Sequence, residues 1–285
     1  MNNIPIRHIN TSIQEALYPE PFTIRDVGDM LAGQDMVQEL HRHDFFYILA
    51  LKKGVGEHEI DFTPYKVGDH SLFFMRPGQV HKLILKSAST GYLIEFTRDF
   101  YFATDIESNQ LLRKAGNTSF YQPAAKIYKK LHAILTYIFE EYTGKQENYG
   151  EVIKANLTIL FTELARQHNK MAPGNVAPYM QERLEEFLEL LEKHISNHKQ
   201  VSEYAAMLNL TPYQLNAITK ATMGKTCSQL ITEYIVLESK RYLLATSNQV
   251  NQVAYLLGYD DVSYFIRFFK KQTGYSPESF RHNFR

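Results

Sequence analysis

The stretch "GYDDVSYFIRFFKKQTGYSP", residues 258–277, decides the fold of the C-terminal part of this chain. Its opening glycine and aspartates are typical of a turn followed by a helix N-terminus, and Gly274 is typical of a helix end. At about 100° per residue, the phenylalanines fall on one side of this helix, whereas Arg267 and Lys270 fall on another. The pattern therefore predicts a helix that anchors itself through aromatic residues and presents cations to an acidic partner.

A half-copy of this pattern lies about fifty residues upstream, in "VSEYAAMLNLTPYQLNAITKATMG", residues 201–224. It predicts a short helix, a turn at "NLT", and a second helix that begins at Pro212 and ends at Gly224. In the downstream copy, Gly258 makes the turn and Asp260 or Asp261 caps the second helix. Two helix-turn-helix units joined by the helical segment "CSQLITEYIVLESKRYLLAT" arise by chance far less often than one.

The second helix of the upstream unit also separates into two faces. Leu215 and Ile218 form the core side, and Tyr213, Asn216 and Lys220 line the opposite side. A helix fits the DNA major groove, where Arg can bind guanine and Asn can bind adenine bidentately, while Lys contacts phosphates. A single amphipathic helix is more often an ordinary solvated surface helix, but two tandem units favour DNA binding.

Charge and composition limit the other function classes. The chain has no net charge, but from residue 201 onward nine Lys and Arg stand against six Asp and Glu, so the cationic excess lies with the two units. We see no apolar run near about 18 residues and no signal-peptide pattern. The single cysteine, Cys227, fits a reducing compartment and is expected to be a small buried residue. We therefore expect a cytoplasmic protein without a membrane partner.

The N-terminal part has a different pattern. Residues 20–100 contain short runs rich in aromatic and β-branched residues with Gly or Pro between them, which predicts a β-sandwich or barrel. Two helical patterns follow, and their seams are Ile127, Leu131, Ile134, Ile138 and Ile153, Leu157, Leu160, Leu164. This αα-hairpin either packs its seam on the β domain or forms a dimer surface. The segment "HNKMAPGNVAP", residues 168–178, is the predicted linker.

Residues from about 180 to 285 resemble the DNA-binding domain of the AraC/XylS family of bacterial transcription regulators. The resemblance is carried by "VAYLLGYDDVSYFIRFFKKQTGYSPESFR" and by "LESKRYLL" at 237–244. The N-terminal part resembles that family's cupin-like effector domain through "HRHDFFY" and "PGQVH". The resemblance implies that both second helices enter adjacent major grooves on one face of the DNA.

The resemblance also implies site residues. The base-contact candidates are Tyr213, Gln214, Asn216 and Ala217 in the first unit and Val262, Ser263, Ile266 and Arg267 in the second. The phosphate-contact candidates are Lys220, Lys270 and Lys271. Ala217 departs from the family, because many relatives carry Arg there and that guanine reader is lost. Thr219, where relatives carry Phe, is expected to soften the packing of the first unit.

Three histidines of the N-terminal part, His41, His43 and His81, call for a metal test. Metal-binding cupins have two histidines, an acidic residue and a third histidine after Pro-Gly, but Tyr47 stands here in the acidic position. Three histidines can still bind zinc or iron, but regulators of the family that this chain resembles generally use the pocket without a metal, so we expect no metal and no other cofactor. We expect instead a pocket for a small polar effector such as a sugar, lined by His41, His43, Tyr47, His81 and Glu95.

Together these patterns predict an α+β chain: an N-terminal cupin-like β-barrel with a helical hairpin, then an all-α domain with two helix-turn-helix units. The predicted parts are an effector domain at 1–122, a hairpin for dimerisation at 123–167, a linker at 168–178 and a DNA-binding domain at 179–285. The expected function is non-enzymatic: an effector-controlled transcription activator, acting as a homodimer with double-stranded DNA and RNA polymerase. The alternatives are a cupin metalloenzyme with a helical accessory domain and a protein-interaction module.

Overall fold

The structure is a computed structural model that describes residues 6–7, 21–101, 106–171 and 178–284. The chain divides into two compact units, one that ends at Met171 and another that begins at Ala172. In the described residues, the first unit contains all the strands and the second contains helices alone. This confirms the predicted α+β class, with a β-rich N-terminal part and a helical C-terminal part.

The strands of the first unit form two five-stranded sheets. In chain order they are β1 Ile6–Arg7, β2 Phe22–Asp26, β3 Met36–His43, β4 Phe46–Lys53, β5 Gly56–Ile60, β6 Thr63–Val67, β7 Leu72–Met75, β8 Val80–Leu85, β9 Thr90–Phe96 and β10 Phe120–Tyr121. One sheet has the order β1-β3-β8-β5-β6 and the other β10-β7-β4-β9-β2. The pairs are antiparallel except for β1 with β3.

Strand β4 is apolar on both faces because both are covered. Its odd-numbered residues, Tyr47, Leu49 and Leu51, belong to an apolar cluster that contains side chains from both sheets. Its even-numbered residues, such as Ile48, belong to a second cluster that includes the helical hairpin. Alternate residues of a strand point to opposite faces, so a doubly covered strand has a continuous apolar run instead of an alternating one.

Five helices complete the first unit in the described residues: α1 Val27–Leu31, α2 Arg98–Tyr101, α3 Ile106–Gly116, α4 Ala125–Gly144 and α5 Tyr149–Met171. The seam of the α4–α5 hairpin is buried against the second sheet, as Leu131 and Leu157 share one cluster with Phe74. Of the two alternatives, the seam therefore packs on the β domain. Helices α1 to α3 were not predicted. Helices α1 and α2 have only five and four residues, and α3 lies between the strand segment and the hairpin, where no pattern was assigned.

The second unit contains seven helices in the described residues: α6 Pro178–His194, α7 Val201–Met207, α8 Pro212–Met223, α9 Cys227–Ala245, α10 Val250–Leu256, α11 Val262–Thr273 and α12 Pro277–Phe284. The start of the predicted linker is wrong, since α5 continues to Met171 and includes residues 168–171. Residues 172–177 lie outside the described residues. No helix in the described part of the chain is long and apolar enough to span a membrane.

The predicted repeat is present as α7–α8 and α10–α11. The first helices are 7 residues each and the second helices 12 residues each. The turns contain Asn209 with φ 55° and Gly258 with φ 69° in equivalent places, and Gly224 and Gly274 end the second helices in the left-handed region. Asn and Gly tolerate this backbone conformation better than other residues.

Candidate DNA interface and barrel interior

Helices α8 and α11 begin at well-formed N-caps. Thr211 caps α8 through a capping box with Gln214, and the carboxylate of Asp261 caps α11 by accepting from the N–H groups of Ser263 (2.8 Å) and Tyr264 (3.1 Å). Their core sides are buried, with Leu215 and Phe265 both 0% exposed. Caps and core together hold each helix so that its other side faces outward.

Most of the predicted DNA-contacting side chains lie on these outward sides. Tyr213 is 84% exposed, the largest value among the exposed hydrophobic residues of the described chain. The exposed members are Tyr213, Gln214, Ala217, Lys220, Ser263, Arg267, Lys270 and Lys271, and the half-buried members are Asn216, Val262 and Ile266. The structure thus places the cations outward on both helices, whereas three of the predicted base readers lie at the margin of the core.

The side chain of Asn216 is engaged within its own unit. Its Oδ1 accepts a hydrogen bond from the backbone N–H of Cys227 at 3.0 Å, and its Nδ2 donates to the carbonyl of Pro212 at 3.1 Å. The first of these bonds satisfies an N–H in the first turn of α9, which has no partner within its own helix. Asn216 therefore joins α8 to α9, and binding adenine would require breaking both contacts.

Gln214 has a structural role as well. Its Oε1 accepts from the backbone N–H of Thr211 at 2.8 Å and from the Thr211 hydroxyl at 3.0 Å, which completes the capping box. The sequence signal was visible, because Thr-x-x-Gln before an apolar pattern is the signature of this cap. The same position in the second unit, fifty residues later, is Tyr264, which is 55% exposed and was not predicted.

Arg267 remains accessible despite an ionic contact. Its Nη2 lies 3.8 Å from Oδ2 of Asp261, and the two side chains are 69% and 64% exposed. Exposed ion pairs of this kind contribute about 0–1 kcal/mol, so a stronger partner can replace the carboxylate. A nucleic-acid base or phosphate is such a partner.

Cys227 is buried and is the free cysteine of the chain, as the composition predicted. Burial raises the pKa of its thiol to about 12. The thiol is therefore protonated near neutral pH, and the side chain, at the start of α9, is part of the buried core.

In the first unit, four of the five predicted pocket residues converge between the sheets. The Nε2 atom of His81 lies 2.7 Å from Nε2 of His43 and 2.9 Å from Nε2 of His41, and the ring of Tyr47 stacks on His43 with centroids 5.2 Å apart. Glu95 pairs with Tyr47 in sheet register, and its carboxylate accepts from Arg25 at 2.8 Å. Glu95 thus faces the interior but is tied to β2.

A β-bulge in β3 is what turns His41 and His43 inward. Three residues on β3 lead from Gln38 to His41, whereas two residues on β8 lead from Leu83 to His81. One extra residue exchanges the two faces of a strand. Before the bulge the even-numbered Met36 packs on the interior, and after it the odd-numbered histidines do.

His58 is a fourth histidine of this group, and it was not predicted from the sequence. Its Nε2 lies 2.8 Å from Nδ1 of His81, and the residue is 1% exposed. Burial, together with nearby His41, lowers the pKa of His58 to about 3, so its imidazole is neutral at pH 7. The signal was its strand parity in "GVGEHEIDF", which sets His58 and Ile60 on one face.

A cleft of about 450 Å³ lies along β5, β6 and β8. Its lining includes His58, Tyr65 and Lys82, and it contains none of the five predicted pocket residues. The predicted residues therefore lie together between the sheets but do not line this cleft. Their role in binding an effector stays a prediction.

Comparison with known proteins matches two family models to this chain. The model described as an AraC-like ligand binding domain matches residues 30–157, and the one described as a helix-turn-helix domain matches residues 204–283. The first segment contains the histidine group, and the second contains α8 to α11 and most of α7.

Relatives and solved structures extend over both parts. The HTH-type transcriptional activator RhaS of Klebsiella pneumoniae (strain 342) is 23% identical over 244 residues, which are 85% of this chain and 86% of that protein. RhaS of Pectobacterium atrosepticum is 24% identical over 247 residues, 85% of this chain and 87% of that protein. Among solved structures, ToxT from Vibrio cholerae O395 matches with 14% identity and a TM-score of 0.46, covering 92% of this chain and 98% of that one. The C-terminal domain of AraT from Geobacillus stearothermophilus matches with 26% identity and a TM-score of 0.34, covering 39% and 88%.

The first unit thus contains the match to the ligand-binding domain model and the second the match to the helix-turn-helix model, and the relatives match over most of their own length. This chain belongs to the AraC family of DNA-binding transcription regulators.

Proposed function

We propose that this protein is a transcription activator that reads two adjacent major grooves with α8 and α11 and responds to a small molecule held in its N-terminal unit. It acts as a homodimer in the cytoplasm and contacts RNA polymerase at the promoter. The relatives named as transcriptional activators support the direction of regulation. The expectation that it is not an enzyme agrees with the family to which it belongs.

The observation that carries this proposal is the match between the outward faces of the two second helices. Residues fifty positions apart occupy equivalent places: Ala217 corresponds to Arg267, and Lys220 corresponds to Lys270. All four are exposed, and each helix is held by a cap, a buried face and a terminal glycine. Two such helices suit half-sites about one helical turn, or 34 Å, apart on the DNA.

The two units are not equal readers in this proposal. Arg267 has the fork of donors that binds guanine O6 and N7, whereas Ala217 at the equivalent place can make only an apolar contact, such as with a thymine methyl. Tyr213 is the exposed reader of the first unit, and Asn216 supports α8 instead of reading a base. Lys220, Lys270 and Lys271 contact phosphates and set the register.

Dimerisation is proposed to use the outward side of the hairpin, because its seam is occupied by the β-sheet. Tyr137 on α4 is 46% exposed and Ile159 on α5 is 49% exposed. Sedimentation of the full chain at micromolar concentration, with and without a metabolite pool, tests this step. A monomer under both conditions would contradict it.

Selection of bound sites from random duplex DNA tests the main proposal. We expect an enriched site with two blocks of sequence about one helical turn apart, and binding that weakens steeply with salt as counterions are recaptured by the DNA. Repeating the selection with a metabolite pool tests effector control through a change in affinity. Absence of any sequence preference, or binding that salt does not affect, would reject the DNA-reading role.

A further inference from the structure

Three imidazoles of the first unit meet at their Nε2 atoms in the interior between the sheets. His41, His43 and His81 are 0%, 4% and 0% exposed. Candidate ligand nitrogens of these three residues all lie within 4.8 Å of one another. They come from two paired strands, β3 and β8, so the backbone ladder sets their spacing.

The hydrogen bonds of the group define which nitrogens carry a lone pair. Nδ1 of His41 lies 2.7 Å from the carbonyl oxygen of Glu39, which can only accept, so this Nδ1 is the donor. The neutral His41 ring therefore keeps its lone pair on Nε2, directed at the other two histidines. Metal-ligating histidines typically have such a carbonyl behind them, which fixes the tautomer of the ring.

His58 gives His81 a corresponding partner. Nε2 of His58 lies 2.8 Å from Nδ1 of His81 and can accept a proton from it. In that state Nδ1 of His81 carries the hydrogen, and its Nε2 has a lone pair. This lone pair points to the region where the Nε2 lone pair of His41 also points. In this arrangement the Nε2 lone pairs of His41 and His81 face each other at 2.9 Å. His43, whose Nε2 lies 2.7 Å from that of His81, can donate to it from Nε2 in the absence of a cation, or keep its proton on Nδ1 and direct a third lone pair at a bound cation.

The spacing suits a small transition-metal ion. With metal–nitrogen bonds of about 2.0–2.1 Å, nitrogens in a tetrahedral site are separated by about 3.3 Å. The observed Nε2 separations of 2.7 and 2.9 Å are close to this value and require only small ring rotations to reach it. Three neutral imidazoles favour zinc, copper, nickel or ferrous iron over magnesium or calcium, which prefer oxygen ligands.

We propose that His41, His43 and His81 form a binding site for a divalent transition-metal ion of the zinc type, with His58 as the partner that orients His81. Three protein ligands leave a coordination position open, and an oxygen of the small-molecule effector would complete it. This last step rests on the proposed effector role, but the metal site itself does not depend on DNA or on an effector. The proposal differs from the sequence-based expectation that the chain binds no metal.

The experiment uses the untagged full chain, stripped with chelator and then dialysed against zinc. We expect about one zinc per chain by elemental analysis. Cobalt added instead should give the visible absorption bands of a low-symmetry, four- or five-coordinate ion. Zinc should also raise the melting temperature of the wild type, because a ligand that binds only the folded state stabilises it.

His81→Gln and His43→Gln should each lose the stoichiometric metal. His132→Gln is the matched control, since it removes a half-buried imidazole from α4 in the same unit. The wild-type zinc content and cobalt spectrum need no variant to fold, so they decide the question even if His81→Gln is unstable. No zinc and no cobalt bands in the wild type, or metal retained by folded His81→Gln, would overturn the proposal. Both outcomes are independent of DNA binding, which is measured separately.

Discussion

Lys199 joins the loop after α6 to the turn of the second helix-turn-helix unit by donating from Nζ to the carbonyl of Gly258 at 2.9 Å. The same ammonium donates to the carbonyl of Ser196 at 3.2 Å and lies 5.0 Å from the ring centre of Tyr259. The turn between α10 and α11 is therefore attached to the segment that precedes α7. This contact joins the second helix-turn-helix unit to the loop before the first one, in addition to the connection through the spacer helix α9.

Gly258→Ala should strongly destabilise the second helix-turn-helix unit. A Cβ at this position would lie 1.6 Å from the carbonyl oxygen of Ser196, and φ is +69°. Gly224→Ala is the matched control, because its φ is +67° and no atom lies within 4 Å of its Cβ. The control should lose about 1–2 kcal/mol for the left-handed backbone, and Gly258→Ala a further 1–3 kcal/mol or so for the clash. Urea unfolding measures both, and equal losses would show that the turn does not pack on this loop.

Asn216 should matter for stability more than for base recognition. Asn216→Ala removes the acceptor for the Cys227 N–H in the first turn of α9, and loss of a side-chain bond to such an N–H costs about 0.5–2 kcal/mol. Asn216→Asp keeps an acceptor at the N-terminus of α9, where the helix dipole favours a negative charge, so it should retain most of the stability. Thermal unfolding compares the two variants. If both melt like the wild type while the selected DNA sequence changes, Asn216 reads a base after all.

Arg267→Ala and Lys270→Ala should differ in how they weaken DNA binding. Loss of Arg267 should cost about 1–3 kcal/mol on the selected site and relax the preference at one base pair, whereas loss of Lys270 should weaken all sequences alike and lower the salt slope by about 1. Titrations of the selected and a scrambled duplex over a range of salt separate the two effects. Gln272→Ala, an exposed change on the same helix, serves as the control. Unchanged affinity in Arg267→Ala would remove that residue from the interface.

Acidification should remove a stabilising contribution of Glu203. Hydrogen bonds from His198 and from the backbone N–H groups of Gln200 and Lys199 hold the pKa of Glu203 below its usual value of 4.5. Because the folded pKa is the lower one, this stabilisation is present above pH 4.5 and is lost as the pH falls through the folded pKa.

Glu203→Gln should therefore melt below the wild type at pH 7, and the difference should shrink as the pH falls below 4.5. Glu182→Gln, an exposed change on α6, controls for the loss of one negative charge. A difference between wild type and Glu203→Gln that stays constant down to pH 3 or so would argue against the proposed contribution.

Local patterns predicted the helical C-terminal part well, because its elements are defined within a few residues. Pro212, Gly224 and Gly274 mark helix ends through their own backbone preferences, and these ends are found where predicted. The roles of Asn216 and Gln214 were harder to assign. Both residues lie near the polar face of α8, so their spacing suggests that they contact DNA. The structure shows instead that their side-chain amides are already hydrogen-bonded, Asn216 to the N–H of Cys227 at the start of α9 and Gln214 to the N–H of Thr211.

In the N-terminal part, local patterns predicted the strands but not their pairing. Strand parity set His41 and His43 on one face, but it could not show the bulge or bring His58 onto His81, since both depend on pairing between distant strands. The apolar seam of the hairpin likewise indicated that Leu131 and Leu157 would be buried, but not by which surface. The covering surface is the second sheet.

The order of residues by itself determined the class of each part, the repeat of the helix-turn-helix unit and the separation of apolar from cationic faces, because these depend on spacing along one helix or strand. The convergence of three imidazoles, the bond from the Cys227 N–H to Asn216 and the attachment of Lys199 to Gly258 depend on residues brought together from separate elements. Strand register and helix packing set those distances, and neither is encoded in any single local stretch of the chain.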